Sequence, residues 1–403
     1  QVLEAKCLQR SFQFFAAAGN KTGAFFNAYL SIFHHLIRRF IRHLTSNPDL
    51  ACHYQPLRLA AAFSQSAFCQ QDIQAGFDVF WHFFEISLVK QLPNPCLSET
   101  GAFSSCDIIN LMLKAILKTM RPRQWTKNIF VLAALVFDRQ LFGAVDPVLR
   151  SIGGMLLFCL LSSSVYIIND IKDVEADRQH PTKRNRPIAS GRLPISVATG
   201  CAVFLLAVTF PLSYLLSPGF FLIALIYFLM NLVYSLYLKN VILIDVLLIA
   251  AGFVLRVAAG VSLIQVERFS PWLYVVTTLG ALYIGFGKRR AEMMLLQDGA
   301  NSHRKVLDGY TLPFLDQMIT IVSSTTIIAY SLYTFSAPNL PSDHAMMLTI
   351  PFVLYGVFRY LWLLQVKKEG GAPEEVLLAD RPLQIDIVLW GIAVLIIFYF
   401  ISP

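Results

Sequence analysis

The chain has 403 residues, 56% of them apolar and 14% charged, with a mean hydropathy of +0.58. This excludes an ordinary soluble domain, in which about 45–50% of residues are apolar and about 25% charged. The net charge of +8 follows the order of apolar segments along the chain, which argues for topology plus anion binding and against a nucleic-acid partner.

Residues 1–110 read as an N-terminal extension without a clear spanning segment. Its start lacks the charged-then-apolar order of a signal peptide. Residues 24–44, with Arg38, Arg39 and Arg42 among Phe, Ile and Leu, predict a basic amphipathic helix lying on a membrane surface; residues 76–90 predict a second, less basic one. The seven cysteines, Cys7, Cys52, Cys69, Cys96, Cys106, Cys159 and Cys201, are odd in number and lack zinc-type spacing, so neither a disulfide framework nor a metal site is expected.

Residues 107–118 predict a short helix leading into Arg121-Pro-Arg-Gln-Trp-Thr-Lys127. Trp125 suits the headgroup level, and Arg121, Arg123 and Lys127 suit lipid phosphates or simple anchoring. From residue 128 onward, apolar stretches recur at 128–146, 148–168, 197–216, 219–238, 241–263, 271–287, 312–335, 345–365 and 383–401, which predicts nine membrane spans. Alternate loops hold most Lys and Arg, among them Lys183, Arg186, Lys239, Lys288 and Lys368, whereas the opposite loops hold Arg139, Arg150 and Arg268. By the positive-inside rule, the N-terminal side and the basic loops are cytoplasmic.

The second stretch ends in Asn169-Asp-Ile-Lys-Asp-Val-Glu-Ala-Asp177. On a helix, Asp170, Asp173 and Asp177 share a face. Acids at the mouth of an apolar run are costly, and three hard-oxygen ligands suit Mg²⁺ shared with a substrate's phosphates. Arg178-Gln-His-Pro-Thr-Lys-Arg-Asn-Arg-Pro-Ile-Ala-Ser-Gly-Arg192 follows. Its prolines and glycine prevent one continuous helix, so it reads as a folded cap or clamp whose Lys183 and Arg186 grip phosphate. Farther on, Asp245 and Arg256 fall within one apolar stretch, three turns apart on nearly one face, which offers a mutual pairing or a polar wall.

The acidic motif with Lys183, Arg184, Asn185, Arg186, Pro187 and Gly191 resembles the first aspartate motif of UbiA-type intramembrane prenyltransferases. Tyr234-Ser-x-x-Leu-Lys239 resembles a second element of that superfamily, and the likeness spans about residues 112–401. It implies an all-α bundle of nine spans around a central cavity, a catalytic domain at 111–403, and an Mg²⁺–diphosphate site under cytoplasmic cap loops of a plasma-membrane protein. Asp170, Asp173 and Asp177 are then metal ligands and, with Lys239, catalytic; Asn169, Tyr234 and Asp245 line the substrate site.

One departure narrows the resemblance. Where most members have a second acidic motif, this chain has Gly287-Lys-Arg-Arg-Ala-Glu292, followed by His303-Arg304-Lys305. More phosphate ligands and fewer metal ligands suit a donor with additional phosphate. Together with Arg121-Pro-Arg-Gln-Trp-Thr-Lys-Asn128, the pattern resembles the decaprenyl-phosphate phosphoribosyltransferase branch. That branch implies transfer of 5-phosphoribose from phosphoribosyl diphosphate to a polyprenyl phosphate, in the synthesis of arabinose donors for a cell envelope. Lys288, Arg289, Arg290, Arg304 and Lys305 become candidates for the donor's 5-phosphate, Arg123 and Lys127 for the lipid phosphate, and Glu292 for the substrate site more generally. A homo-oligomer is left open. The competing readings are a prenyltransferase acting on an aromatic acceptor, which does not account for Lys288 to Arg290, and a transporter or lipid-binding protein, for which no internal repeat is visible.

Overall fold

The computed structural model describes residues 105–264, 271–297, 305–337, 340, 343–367, 376 and 379–401. These belong to one unit, Glu99–Pro403. The amphipathic stretches expected at 24–44 and 76–90 lie outside the described residues, as does Arg304. Among the described residues the fold is all helix.

Helix α1, Ser105–Met120, stops before Pro122, and Arg121 takes the left-handed conformation at φ 54, ψ 64, rare for a residue with a Cβ. The chain continues as a 3₁₀ helix over Pro122–Leu132 and only then as a short α-helix, α2, Ala133–Phe137. A 3₁₀ helix rises faster per residue than an α-helix, so these eleven and five residues together reach about 30 Å, the thickness of a bilayer core. The first predicted segment is thus a broken helix that ends nine residues before the predicted limit of 146.

The remaining elements follow the predicted segments closely. They are α3 (Val145–Lys172), the short α4 (Val174–Gln179), α5 (Ile195–Leu216), α6 (Pro218–Leu236), α7 (Ile244–Val261), α8 (Pro271–Gln297), α9 (Leu312–Ser336), α10 (Ile350–Gln365) and α11 (Arg381–Ile396). A 3₁₀ turn, Ala345–Thr349, leads into α10, and a π-helical turn, Ile397–Ile401, extends α11. Seven of these helices are long and apolar enough to cross a membrane. Helix α8 has 27 residues but holds Lys288, Arg289, Arg290 and Glu292 in its second half, so its apolar part gives way to charge before the helix ends.

Successive helices from α5 to α11 pack each on the next, α3 packs on α5 and α6, and the 3₁₀ segment lies between α3 and α7. Gly260 permits that closure: a Cβ there would sit 2.0 Å from the Val131 carbonyl oxygen, so any side chain would hold α7 off the broken span. Outward faces are apolar, with Leu222, Ile226 and Leu229 on α6 and Ile385, Val388 and Ile392 on α11 all exposed, as lipid contact requires. The chain is a multi-pass membrane protein.

Arg256 does not pair with Asp245. Its Nε donates to Asn128 Oδ1 at 2.8 Å, Nη2 to the Tyr227 hydroxyl at 2.7 Å and Nη1 to the Gly252 carbonyl at 2.7 Å. Asn128 in turn donates to Cys159 Sγ and Ser162 Oγ at 3.3 and 3.2 Å. This buried network joins the broken span to α3, α6 and α7, and it uses neutral oxygens where a carboxylate was expected. The reason is distance along one helix: three turns separate Arg256 from Asp245 by about 16 Å, beyond side-chain reach.

Candidate active site

The acidic motif lies where α3 gives way to α4. Asp173 is the hinge residue, at φ −90, ψ 11, yet Asp173 N–H donates to Asn169 O at 2.9 Å and Asp177 N–H to Asp173 O at 2.8 Å. Helical hydrogen bonding thus runs through the joint, which keeps the three aspartates near one another. Asp170 and Asp177 are buried, at 2% and 3% exposure.

Each carboxylate meets a cation from another part of the chain. Arg121 Nη2 donates to Asp170 Oδ1 at 2.5 Å, Arg186 Nη1 to Asp170 Oδ1 at 3.1 Å and to Asp177 Oδ2 at 2.6 Å, and Lys239 Nζ to Asp173 Oδ1 and Oδ2 at 2.8 and 3.0 Å. Arg121 also lies over the Tyr166 ring, 5.0 Å from its centroid. Asp170 and Asp177 therefore converge on one positive nitrogen, the position that a hard divalent cation takes between two carboxylates. The donor set fits Mg²⁺, although Asp173 is turned toward Lys239 and, among the described residues, no three acidic, His or Cys side chains are gathered at one point.

The loop after α4 is folded. Ile188 and Leu193 are buried, at 2% and 1% exposure, Gly191 turns the chain at φ 76, and Arg178 Nε donates to the Ala189 carbonyl at 3.3 Å. His180 Nδ1 accepts from the Thr182 and Lys183 N–H groups at 3.2 and 3.3 Å. Partial burial, reinforced by the Lys183 charge, holds that imidazole below its usual pKa. Lys183 stands exposed, whereas Arg186 points inward to the acids. Arg123 is exposed and Lys127 half-buried.

A second charged group forms between the starts of α7 and α9. Arg289, 1% exposed, donates through Nε to Asp245 Oδ2 at 2.6 Å and through Nη1 to Glu292 Oε2. Tyr310 donates to Asp245 Oδ1 at 2.8 Å and accepts from Leu243 N–H at 2.7 Å. Its burial pushes the phenol up to about 12. Tyr234 is half-buried and lies near Arg289. Arg290 turns away, to Asp316 Oδ1 at 2.5 Å and the Leu364 carbonyl at 3.0 Å. Lys288 and Asn169 are half-buried. Lys305 begins a 3₁₀ turn, Lys305–Gly309, and its side chain is outside the described residues.

Sequence reasoning weighed Arg121 as a headgroup anchor and missed its contact with Asp170; the Pro after it was the signal that the helix ends there. Tyr310 and Asp316 carried no signal, since each acts through a partner distant in sequence.

An aspartate motif at a helix end meets Arg and Lys from other elements inside an all-helical membrane bundle. The UbiA prenyltransferase family model matches residues 129–376, and the chain belongs to that family. Over 296 residues it is 34% identical to the decaprenyl-phosphate phosphoribosyltransferase of Corynebacterium glutamicum, covering 70% of this chain and 86% of that one. It is 32% identical over 285 residues to the enzyme of the same name from Mycobacterium tuberculosis, covering 69% and 92%. The fold is shared with a UbiA homolog from Archaeoglobus fulgidus solved with GPP and Mg²⁺, at a TM-score of 0.54 and 20% identity over 70% of this chain and 99% of that one.

Proposed function

We propose that this protein transfers 5-phosphoribose from phosphoribosyl diphosphate to a polyprenyl phosphate and releases pyrophosphate. The observation that carries this reading is the contrast between the two charged groups. An acid cluster suited to a metal diphosphate meets its cations at one helix end, and Lys288, Arg289 and Arg290 occupy the helix where a prenyltransferase would place a second acid cluster.

Asp170, Asp173 and Asp177 would hold Mg²⁺, which when bound neutralises charge on the departing pyrophosphate. Arg121, Arg186 and Lys239, paired with those acids here, are the residues that bind diphosphate oxygens once the carboxylates are engaged. The C1–O bond of the ribose loosens and the ring gains oxocarbenium character. The lipid phosphate oxygen attacks from the opposite face, forming the new C1–O bond with inversion. The nucleophile is already an anion, so no general base is needed and catalysis is positioning and electrostatics. Arg123 and Lys127 suit the lipid phosphate, and Lys288, Arg304 and Lys305 the donor's 5-phosphate. The site faces the cytoplasm of a plasma membrane in this reading, and the product supplies arabinose donors for a cell envelope.

The test is to give the purified protein in detergent Mg²⁺, a polyprenyl phosphate and radiolabelled phosphoribosyl diphosphate. Label in organic-extractable lipid is the expected result. Its absence, together with prenylation of an aromatic acid from a prenyl diphosphate, overturns the reading. A chain truncated near Asp107 that keeps activity would confine catalysis to residues 111–403.

A further inference from the structure

One member of the second charged group differs from the rest. Arg289 and Asp245 have side-chain exposures of 1% and 0%, whereas Glu292 has 25%. The line of hydrogen bonds runs from Leu243 N–H to the Tyr310 hydroxyl, from that hydroxyl to Asp245, and from Arg289 to both Asp245 and Glu292. Every buried group on it is satisfied at fixed geometry. The Tyr310 hydroxyl uses its donor on one neighbour and an acceptor site on the other, and each Asp245 oxygen accepts one bond. Glu292 is the partly exposed side chain of the line, at 25%, and a carboxylate with one oxygen held by a guanidinium keeps further lone pairs free to accept.

The start of the line is strained. Leu243 sits at φ 67, ψ −42, and Ile244 N–H closes a tight turn on Ile242 O at 2.8 Å. A positive φ at a branched residue persists only where its surroundings hold it. Tyr310 is one such hold and Gly309 is another, since a Cβ at Gly309 would lie 2.1 Å from Ile242 Cδ1. The loop before α9 is therefore seated on the turn before α7, and both are coupled to Glu292 through Arg289.

Resting on the proposed reaction, we infer that Glu292 accepts hydroxyl hydrogen bonds from the donor's ribose and that Tyr310 is a positioning residue acting on it through Asp245 and Arg289. A sugar hydroxyl satisfies the lone pairs that Arg289 leaves over on this carboxylate; a prenyl chain cannot, and would leave them desolvated without a partner. This makes Glu292 a determinant of sugar over prenyl donors.

Steady-state kinetics on the full chain, with ribose 5-phosphate and pyrophosphate as separate inhibitors, test the assignment. Glu292→Ala raises the KM for phosphoribosyl diphosphate about tenfold or more, the worth of one charge-assisted hydrogen bond. It weakens inhibition by ribose 5-phosphate to match, while pyrophosphate inhibition and the KM for lipid stay within about twofold of wild type. Glu292→Gln, which keeps an acceptor oxygen, falls between and carries the test should the alanine variant not fold. Tyr310→Phe shows the same signature more weakly, and the double variant loses no more than Glu292→Ala alone. Unchanged ribose 5-phosphate inhibition, equal weakening of pyrophosphate, or losses that multiply in the double variant overturn the inference. A wild-type chain that makes no labelled lipid overturns the proposed reaction instead, and this assignment with it.

Discussion

The two charged groups at the helix ends both pair aspartate with arginine and differ in what surrounds them. Around Asp170, Asp173 and Asp177 the cations remain partly open, with side-chain exposures of 27% for Arg121, 27% for Arg186 and 23% for Lys239. Around Asp245, Arg289 is shut in at 1%. An ion pair open on its cation side can exchange partners at little cost, because water solvates the charge as it moves. A pair buried on both sides cannot, because each member left alone would bear the full penalty of desolvation. In the proposed function the first group serves the chemistry, while the buried Asp245–Arg289 pair of the second holds shape and leaves the more exposed Glu292 at its edge.

Variants can break or sharpen that contrast. The largest effect is expected at Asp173→Ala, which should lower turnover at least about 100-fold while thermal unfolding stays near wild type, since a ligand is lost at an exposed edge. Near-normal turnover would remove Asp173 from the metal set. Arg289→Met should do the reverse in kind: it leaves Asp245 buried without its charge partner and should lower unfolding stability by about 3–5 kcal/mol, measured by thermal unfolding in detergent. A stable Arg289→Met protein would show that the second group is not structural. Lys239→Met should raise the donor KM about tenfold with little change in unfolding temperature, the loss of one charge-assisted contact.

The smallest effect is expected at a half-buried pair that belongs to neither group. Asp380 caps α11, accepting from Leu383 N–H at 2.9 Å, and is bound by Arg359 Nη2 at 2.8 Å. Hydrogen bonding from Arg359 holds its carboxyl below the usual value. A depressed carboxylate stabilises the fold above its unfolded value and loses that contribution as pH falls, so the loss should set in below about pH 4. Asp380→Asn should abolish this acid step and cost under about 1 kcal/mol at neutral pH; an unchanged acid profile would exclude Asp380 as its source.

Most of this architecture was legible in the chain. Apolar runs of about 20 residues have one solution in a bilayer, so seven predicted segments became seven long helices with ends shifted by a few residues. The first segment was misjudged because hydropathy carries no information about 3₁₀ against α geometry, and Pro122 moved its start upstream. The acidic motif was legible because three acids at helical spacing beside lipid are too costly to be incidental. Partner choice was not. Arg256 could be recognised as needing a partner, but Asn128 is 128 positions away and nothing local marks it. Tyr310 is an ordinary aromatic in sequence; its meaning comes from the turn at Leu243 that it holds.

The Asn128–Arg256 bond also sets a timetable for biogenesis. At synthesis rates of about 5–20 residues per second, a gap of 128 residues lasts on the order of ten seconds. Through that interval the broken first span has already left the ribosome, with a polar amide whose final donor does not yet exist. Only the amide nitrogen can be satisfied early, by Cys159 and Ser162 of the next helix; the oxygen must wait for α7. This part of the bundle therefore closes backward, with α7 completing the seat of a segment made well before it.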